Sequence, residues 1–380
     1  MKGKVWTVVA AITALGLVVS CKPAPPAEPI KIGIVAPLSG PVKLVGEDIR
    51  DGALMVVEEW NEKGGVLGRP IEVVLGDTEC ASKAASDVAN KLVFEDKVKY
   101  VAGGACSSAC IPMSEVYDPN KVVYISSVAT DPDVTINPDG SNKPYIFRVC
   151  FLDSFQGYVD AKFAVEELGC KKAAILYDVG NDYVLGLSEF FRDAFKELGG
   201  EVAVFEAYTE ADVDFTALLT MADEKGADVL FIPDYYNKAN LIGSQYRAGG
   251  MKQAIMGADG WQTEDLDCEV LDGAYFSAHF SPDDPRPVVV EHLAAFKEKY
   301  GREASAYSAL GADAARAMLT GIEKAGVDDP EKVKDALAGI EFEGVTGHIK
   351  FDEHGDPVKT VHILRVDKDK GFVYAKGVAP

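Results

Sequence analysis

The chain has 380 residues, 60 of them acidic and 38 basic, for a formal net charge of −22. That balance excludes a nucleic-acid binder, which needs a basic footprint, and it repels anionic lipid while keeping the protein soluble. With the N-terminal leader set aside, about 350 residues remain, more than one ordinary hydrophobic core accommodates, so two domains are expected.

Residues 1–20 read as a secretory signal. Met1 to Lys4 carry two lysines, Val5 to Val19 is an uncharged apolar run, and Ser20 precedes a lone Cys21. A basic start, an apolar stretch of about 15 residues and a small residue before the cut form that pattern. The run falls short of the roughly 20 residues of a membrane span; an uncleaved anchor helix is the alternative. Val18-Val19-Ser20-Cys21 is similar to a bacterial lipobox, in which Cys21 becomes the acylated N-terminus. The proline-rich stretch from Lys22 to Pro29 cannot form a helix, so 21–29 is expected to be an extended tether. Either way the folded part lies in the cell envelope, outside the cytoplasmic membrane and held to it by its N-terminus.

From Ile30 the sequence alternates strand and helix signals. Ile30–Ala36 reads as a strand stopped by Pro37-Leu38-Ser39-Gly40-Pro41. Gly46–Asn61 has helical periodicity, with Ala53, Leu54, Val57 and Trp60 on one face and Gly64-Gly65 at its end. The series continues with strand Ile71–Leu75, helix Ala81–Phe94, strand Tyr100–Ala102, a helix from about Ser108 to Asp118, and strand Val122–Ile125. A second series comes after it: helix Phe155–Leu168, strand Lys172–Tyr177, helix Tyr183–Leu198, strand Glu201–Tyr208, helix Phe215–Lys225, strand Val229–Ile232, helix Lys238–Ala248 and strand Ala254–Gly257. Such alternation implies parallel βαβ units with right-handed crossovers, here in two doubly wound domains. The last third differs. Pro287–Tyr300, Ser305–Ala325 and Pro330–Ala338 read as helices, and His348 to Tyr374 is β-like with a turn at Asp352 to Asp356.

The chemistry of the chain is sparse. Beyond Cys21 stand six cysteines, an even number suited to disulfides in an oxidising compartment but open to fifteen full pairings. No CxxC, Cys/His ligand spacing or HExxH occurs, so no metal is expected. The five histidines fall late and scattered, and are expected at the surface. Walker, GxSxG and GxGxxG motifs are absent, and no cofactor is expected. Gly103 to Ser108 follows a strand and opens a helix, where backbone N–H groups favour an anion. Three readings stay open there: an ordinary helix cap, a carboxylate site using Ser107, and a nucleophile at Cys106 or Ser107. Ser126 to Pro132 is a second strand exit rich in hydroxyls. The later exits at Tyr177-Asp178, Asp234-Tyr235-Tyr236 and Asp259-Gly260-Trp261 offer carboxylates and aromatics, partners for an ammonium group. Open α/β sheets bind ligands at such carboxyl ends, and this polarity suits a zwitterion bridging two domains.

Six segments carry a family likeness: IKIGIVAPLSGPV, GALMVVEEWNEKGGVLGRPIEVVLGDTEC, GGACSSAC, SSVATDPDVT, YIFRVCFLDSFQG and DFTALLTMADEKGADVLFI. From Ile30 to the tail, the chain resembles the periplasmic leucine/isoleucine/valine-binding proteins, the substrate-binding components of branched-chain amino-acid ABC transporters. The resemblance implies the type I periplasmic binding fold, an α/β architecture of two doubly wound parallel-sheet lobes joined by a three-strand hinge. Lobe 1 would comprise 30–152 and 280–347, and lobe 2 153–279 and 348–380. It implies no enzyme, but an extracytoplasmic, monomeric binding protein, which the lipobox would anchor by lipid. The chain would capture a branched-chain or other apolar amino acid by lobe closure and pass it to a membrane permease. Motif by motif, the implied ligand residues are Ser107 for the carboxylate, Val128 through its backbone, Thr130 for carboxylate or ammonium, Tyr183 as an aromatic lid, Tyr235, and Asp259 for the ammonium. The family's disulfide falls on Cys80 and Cys106, while Cys110, Cys150, Cys170 and Cys268 have no implied partners. Two positions depart from the family pattern, Val45 for a common tyrosine and Trp261 where smaller residues are frequent. Rival readings are a urea, amide or aromatic-acid binder, a ligand-sensing lipoprotein, and a secreted hydrolase.

Overall fold

The computed structural model describes residues 3–4 and 28–380. The signal's apolar run, the lipobox with Cys21, and the tether up to residue 27 lie outside the described residues. The first sheet forms from the first run of alternating elements. In chain order these are β1 (Ile30–Ala36), α1 (Lys43–Glu62), β2 (Ile71–Asp77), α2 (Ser82–Phe94), β3 (Tyr100–Gly103), α3 (Ser107–Tyr117), β4 (Val123–Ser126) and β5 (Ile146–Arg148). The five strands pair in parallel in the order β2-β1-β3-β4-β5. Every residue of β3 and β4 is buried, as continuous apolar strands covered on both faces require.

The second run supplies α4 (Asp153–Lys162), β6 (Lys172–Asp178), α5 (Asp182–Glu197), β7 (Glu201–Tyr208), α6 (Thr216–Glu224), β8 (Val229–Phe231), α7 (Tyr236–Ala248), β9 (Ala254–Gly257) and β10 (Tyr275–Ala278). The chain then leaves this layer for α8 (Pro287–Tyr300), α9 (Ala306–Ala325), α10 (Pro330–Leu337) and the hairpin β11 (Glu341–Gly344) with β12 (Gly347–Lys350). It returns for β13 (Val361–Asp367) and β14 (Gly371–Val378), which pair antiparallel at the edge of the second sheet. That sheet has the order β14-β13-β10-β9-β8-β6-β7.

Three strands escape the sequence reading: β5, β10 and β11, of three, four and four residues. The expected helix from Phe155 to Leu168 begins earlier, at Asp153, and its last part is a π turn over Phe163–Glu167. Such turns insert an extra residue into a helix and shift the face that later residues present.

The C-terminal helices belong to the first sheet. α9 lies against α1, β3 and β4, although β4 ends at Ser126 and α9 begins only at Ala306. Ser305 caps it by accepting from the N–H groups of Tyr307 and Ser308, and Gly326, at φ +67°, ends it in the left-handed conformation. α1 and α9 cross at backbone contact. A Cβ on Gly52 would stand 1.9 Å from the Ser308 carbonyl oxygen, and one on Gly311 would stand 2.3 Å from that of Ile49. Neither backbone can give way without parting the helices. Gly311→Ala is therefore expected to destabilise the protein by roughly 1–3 kcal/mol, the usual cost of overpacking, read as a lower melting temperature by circular dichroism.

Candidate ligand-binding site

Two strand exits of the first sheet form one wall. Gly103 and Gly104, at φ +113° and +91°, carry the chain off β3 so closely that a Cβ on Gly103 would stand 2.2 Å from the Val35 carbonyl oxygen. The following residue, Ala105, leads into α3. Cys106 is the residue before that helix, and a disulfide joins it to Cys80 with Cα atoms 5.4 Å apart. The bridge fixes the loop after β2 to the start of α3 and removes Cys106 as a nucleophile. Cys110, Cys150, Cys170 and Cys268 are free thiols.

The exit of β4 lies beside it. Ser127 N–H donates to Gly103 O at 3.0 Å and Val128 N–H to Gly104 O at 3.2 Å. Arg148, wholly buried, holds the rest of this loop. Its guanidinium donates to Ala129 O (2.8 Å), Asp131 O (2.9 Å) and Thr135 Oγ1 (2.8 Å), while Asp356 Oδ1 accepts from Nε at 2.6 Å. A buried guanidinium with its donors matched is a strong constraint on the loop that carries Thr130.

The second sheet supplies the opposite wall. At the exit of β9 a short turn over Asp259–Trp261 presents Asp259, only 3% exposed. Its Oδ1 accepts from Gln156 Nε2 and from Tyr183 Oη, each at 2.8 Å, and its Oδ2 lies 3.0 Å from His279 Nε2. Tyr183 Oη also accepts from Gly260 N–H at 3.3 Å. The rings of Tyr183 and Tyr235 lie 5.4 Å apart. Tyr307, in the first turn of α9, reaches across from the first sheet's side and donates to Asp259 O at 2.9 Å.

These elements enclose one gap, lined by Ala105, Val128, Thr130, Tyr183, Tyr235, Asp259, Gly260 and Tyr307, with a free volume of about 10 Å³, the room of a single water. Val128, Thr130, Tyr183, Tyr235 and Asp259 thus meet at one place. Ser107 does not line the gap. It is fully buried one layer behind, its Oγ accepting from Asp131 N–H at 3.4 Å. Trp261 turns away into the second sheet's core, against Gly257 and 6.1 Å from Phe276. Val45 is also fully buried and absent from the lining. An open cleft of about 380 Å³ lies alongside, shares Tyr235 with the gap, and is bordered by Glu79, Ser108, Asp178, Glu210 and Asp234.

Sequence reasoning misses Gln156, His279 and Tyr307. Only Gln156 carries a local signal, its i+3 spacing from Asp153 on one helical face. His279, expected at the surface, is instead wholly buried, because β10 delivers it into the space between the two walls. Behind Asp259 the polar chain continues inward. Gln156 Nε2 donates to Ser277 Oγ at 2.8 Å, and Ser277 Oγ donates to Asp160 Oδ2 at 2.9 Å. Burial pushes the carboxyls of Asp160 and Asp153 well above the usual range, and neither oxygen of Asp153 has a partner.

Asp259 is different. Burial opposes its charge too, but hydrogen bonding and charge attraction from His279, then hydrogen bonds from Gln156 and Tyr183, outweigh it and hold the carboxyl below its ordinary value. Burial drives the His279 imidazole below its ordinary 6.5 against the pull of Asp259. Its Nδ1 has no partner. A neutral ring with its proton on Nε2 satisfies the contact to Asp259 without orphaning a second buried N–H. The tautomer is thus assigned from the hydrogen bonds. Asp259 is then favoured in its charged form, hydrogen-bonded by Gln156, Tyr183 and His279. No lysine or arginine among the described residues pairs with it.

Two α/β layers, a cleft at their strand exits and a buried charge on one wall define a two-lobed solute-binding protein. The family described as periplasmic binding protein matches residues 29–371, and the chain belongs to it. It is 34% identical over 335 residues to the leucine-, isoleucine-, valine-, threonine- and alanine-binding protein of Pseudomonas aeruginosa, covering 87% of each chain. The leucine-binding protein LivK of Thermotoga maritima superposes with a TM-score of 0.87 at 33% identity, covering 92% of this chain and 99% of that one. LivJ of Streptococcus pneumoniae, solved with isoleucine, gives 0.86 at 32% identity, covering 93% and 100%. A benzoate-bound solute-binding protein from R. palustris has a TM-score of 0.84 at 21% identity, covering 93% and 97%, a likeness of fold alone.

The donor pattern makes a stability prediction. Gln156→Glu sets a second carboxylate against Asp259 Oδ1, which raises the folded-state pKa of the new acid above its unfolded value of about 4.3. A raised acid stabilises below its unfolded pKa and loses that contribution as pH rises through the folded one. The melting temperature of the variant should therefore fall relative to the wild type between about pH 4 and pH 7, as followed by scanning calorimetry.

Proposed function

We propose that this protein captures an amino acid, branched-chain or otherwise apolar, between its two lobes and delivers it to the permease of an ABC importer. The single observation that carries this reading is the buried carboxyl of Asp259, hydrogen-bonded by Gln156, Tyr183 and His279 and met by no lysine or arginine among the described residues. A buried charge without a counterion is costly, and the ammonium of an amino acid supplies the counterion. The carboxylate end would face Thr130 and the start of α3, where helix N–H groups and the helix dipole favour an anion. Ser107 would support that end from behind. Ala105, Val128, Tyr183, Tyr235 and Tyr307 give the side chain apolar and aromatic walls. A simple aromatic acid or an amide would leave Asp259 unpaired, which argues against both.

The lobes we assign are 30–152 with 280–347, and 153–279 with 348–380. The gap of about 10 Å³ is too small for an amino acid, so the lobes must part before capture and close on the ligand to a slightly wider setting. Ligand favours closure because only then do both walls touch it. Acylation at Cys21, which the lipobox favours, would hold the protein, acting as a monomer, outside the cytoplasmic membrane.

Asp259→Ala is expected to lose amino-acid affinity by more than about tenfold, since the cationic end would be buried unpaired. Titration calorimetry with leucine, isoleucine and valine measures this, after a thermal-shift screen against amino acids, amides and aromatic acids has ranked the ligands. Equal affinity in the variant, or a screen in which only aromatic acids stabilise the protein, would overturn the assignment.

A further inference from the structure

We propose that His279 is a positioning residue for ligand capture. Uncharged, its Nε2–H holds one oxygen of Asp259 without cancelling the carboxylate's charge; on gaining a proton it cancels that charge and drives out the ligand's cationic end. The proposal rests on the amino-acid reading of the same cleft.

The geometry carries it. The imidazole is wholly buried and stacks on Phe151, centroids 3.9 Å apart and planes 26° from parallel. That stacking leaves the ring one useful orientation, with Nε2 at 3.0 Å from Asp259 Oδ2 and Nδ1 facing no partner. Gln156 and Tyr183 hold Oδ1 with groups that carry no ionisable proton near neutrality. Among the three donors, His279 alone has a ring nitrogen that can take up a proton as pH falls. Other titratable groups surround the ring. Asp259 comes from the turn after β9, and Asp153 and Asp160 of α4 act on that carboxylate rather than on the ring. From the β13 side come Lys359, whose charge disfavours a second cation, and His362, paired in register with Ala278.

An ammonium beside Asp259 adds a positive charge next to the ring, so the bound protein holds a proton on His279 less tightly than the free protein. By linkage, affinity falls as pH falls through the free-state titration of His279. That titration lies below 6.5 because burial disfavours the imidazolium. Asp131 and Asp234, each raised to about 6 by burial, titrate nearby, so the wild type must be compared with a variant that lacks only the imidazole.

Calorimetry with leucine between about pH 7.5 and pH 4.5 should give a wild-type affinity loss of at least about fivefold, and a loss under about twofold in His279→Gln. Glutamine retains an N–H donor but cannot gain a proton, so it should also bind more tightly near neutrality than His279→Leu, which leaves Oδ2 without a donor. Should a variant fail to fold, ¹⁵N-histidine NMR of the wild type gives the second readout: saturating leucine should move the His279 titration to lower pH. Equal pH ratios in wild type and His279→Gln, or a titration that leucine leaves in place, would overturn the proposal. If the wild type binds no amino acid near pH 7.5, the amino-acid reading falls and this proposal falls with it.

Discussion

The site depends on one buried negative charge left without a cation. Asp259 is nearly sealed from solvent, and burial there disfavours a carboxylate's charge, as it does for its neighbours Asp153 and Asp160, whose pKa values it raises. Three donors offset this by hydrogen-bonding its charged form. They stabilise the charge without neutralising it. The remaining electrostatic demand can be met by something that arrives from outside, which is how a binding protein reserves selectivity for its ligand rather than for its own side chains.

The rest of the fold holds the two walls in register. Parallel strands place their carboxyl ends along one edge, and both sheets turn that edge toward the same gap. Arg148 pins the loop of Thr130 through backbone carbonyls, and its own charge is met by Asp356 from the far end of the chain. The disulfide pins the neighbouring loop. Rigid walls matter because a dipolar ligand rewards closure only if both of its ends find partners at once.

Much of this is legible in the sequence because it is local. The βαβ alternation shows in apolar runs punctuated by glycine and proline, and the polar strand exits derive directly from it. The exits of β4 and β9 accordingly supply Thr130 and Asp259. The illegible part is assembled from distance. Gln156, His279 and Tyr307 reach Asp259 from 103, 20 and 48 residues away, and no periodicity announces such meetings. Trp261 lies two positions after Asp259, yet it packs inward because Gly257 leaves room for an indole. Ser107 sits where the motif places it, but the turn of α3 carries its side chain behind the lining. β5 and β10 lie outside the regular strand–helix alternation that marks the other short strands.

The position of α9 bears on how such a chain is made. Its helix covers β3 and β4 and contributes Tyr307 to the gap, so the first sheet keeps an uncovered apolar face until residues beyond 306 are available. Contacts so distant in sequence form late and slowly. The N-terminal half of the chain therefore lacks the helix that completes its sheet, and the first lobe's core closes only with residues contributed by the C-terminal third.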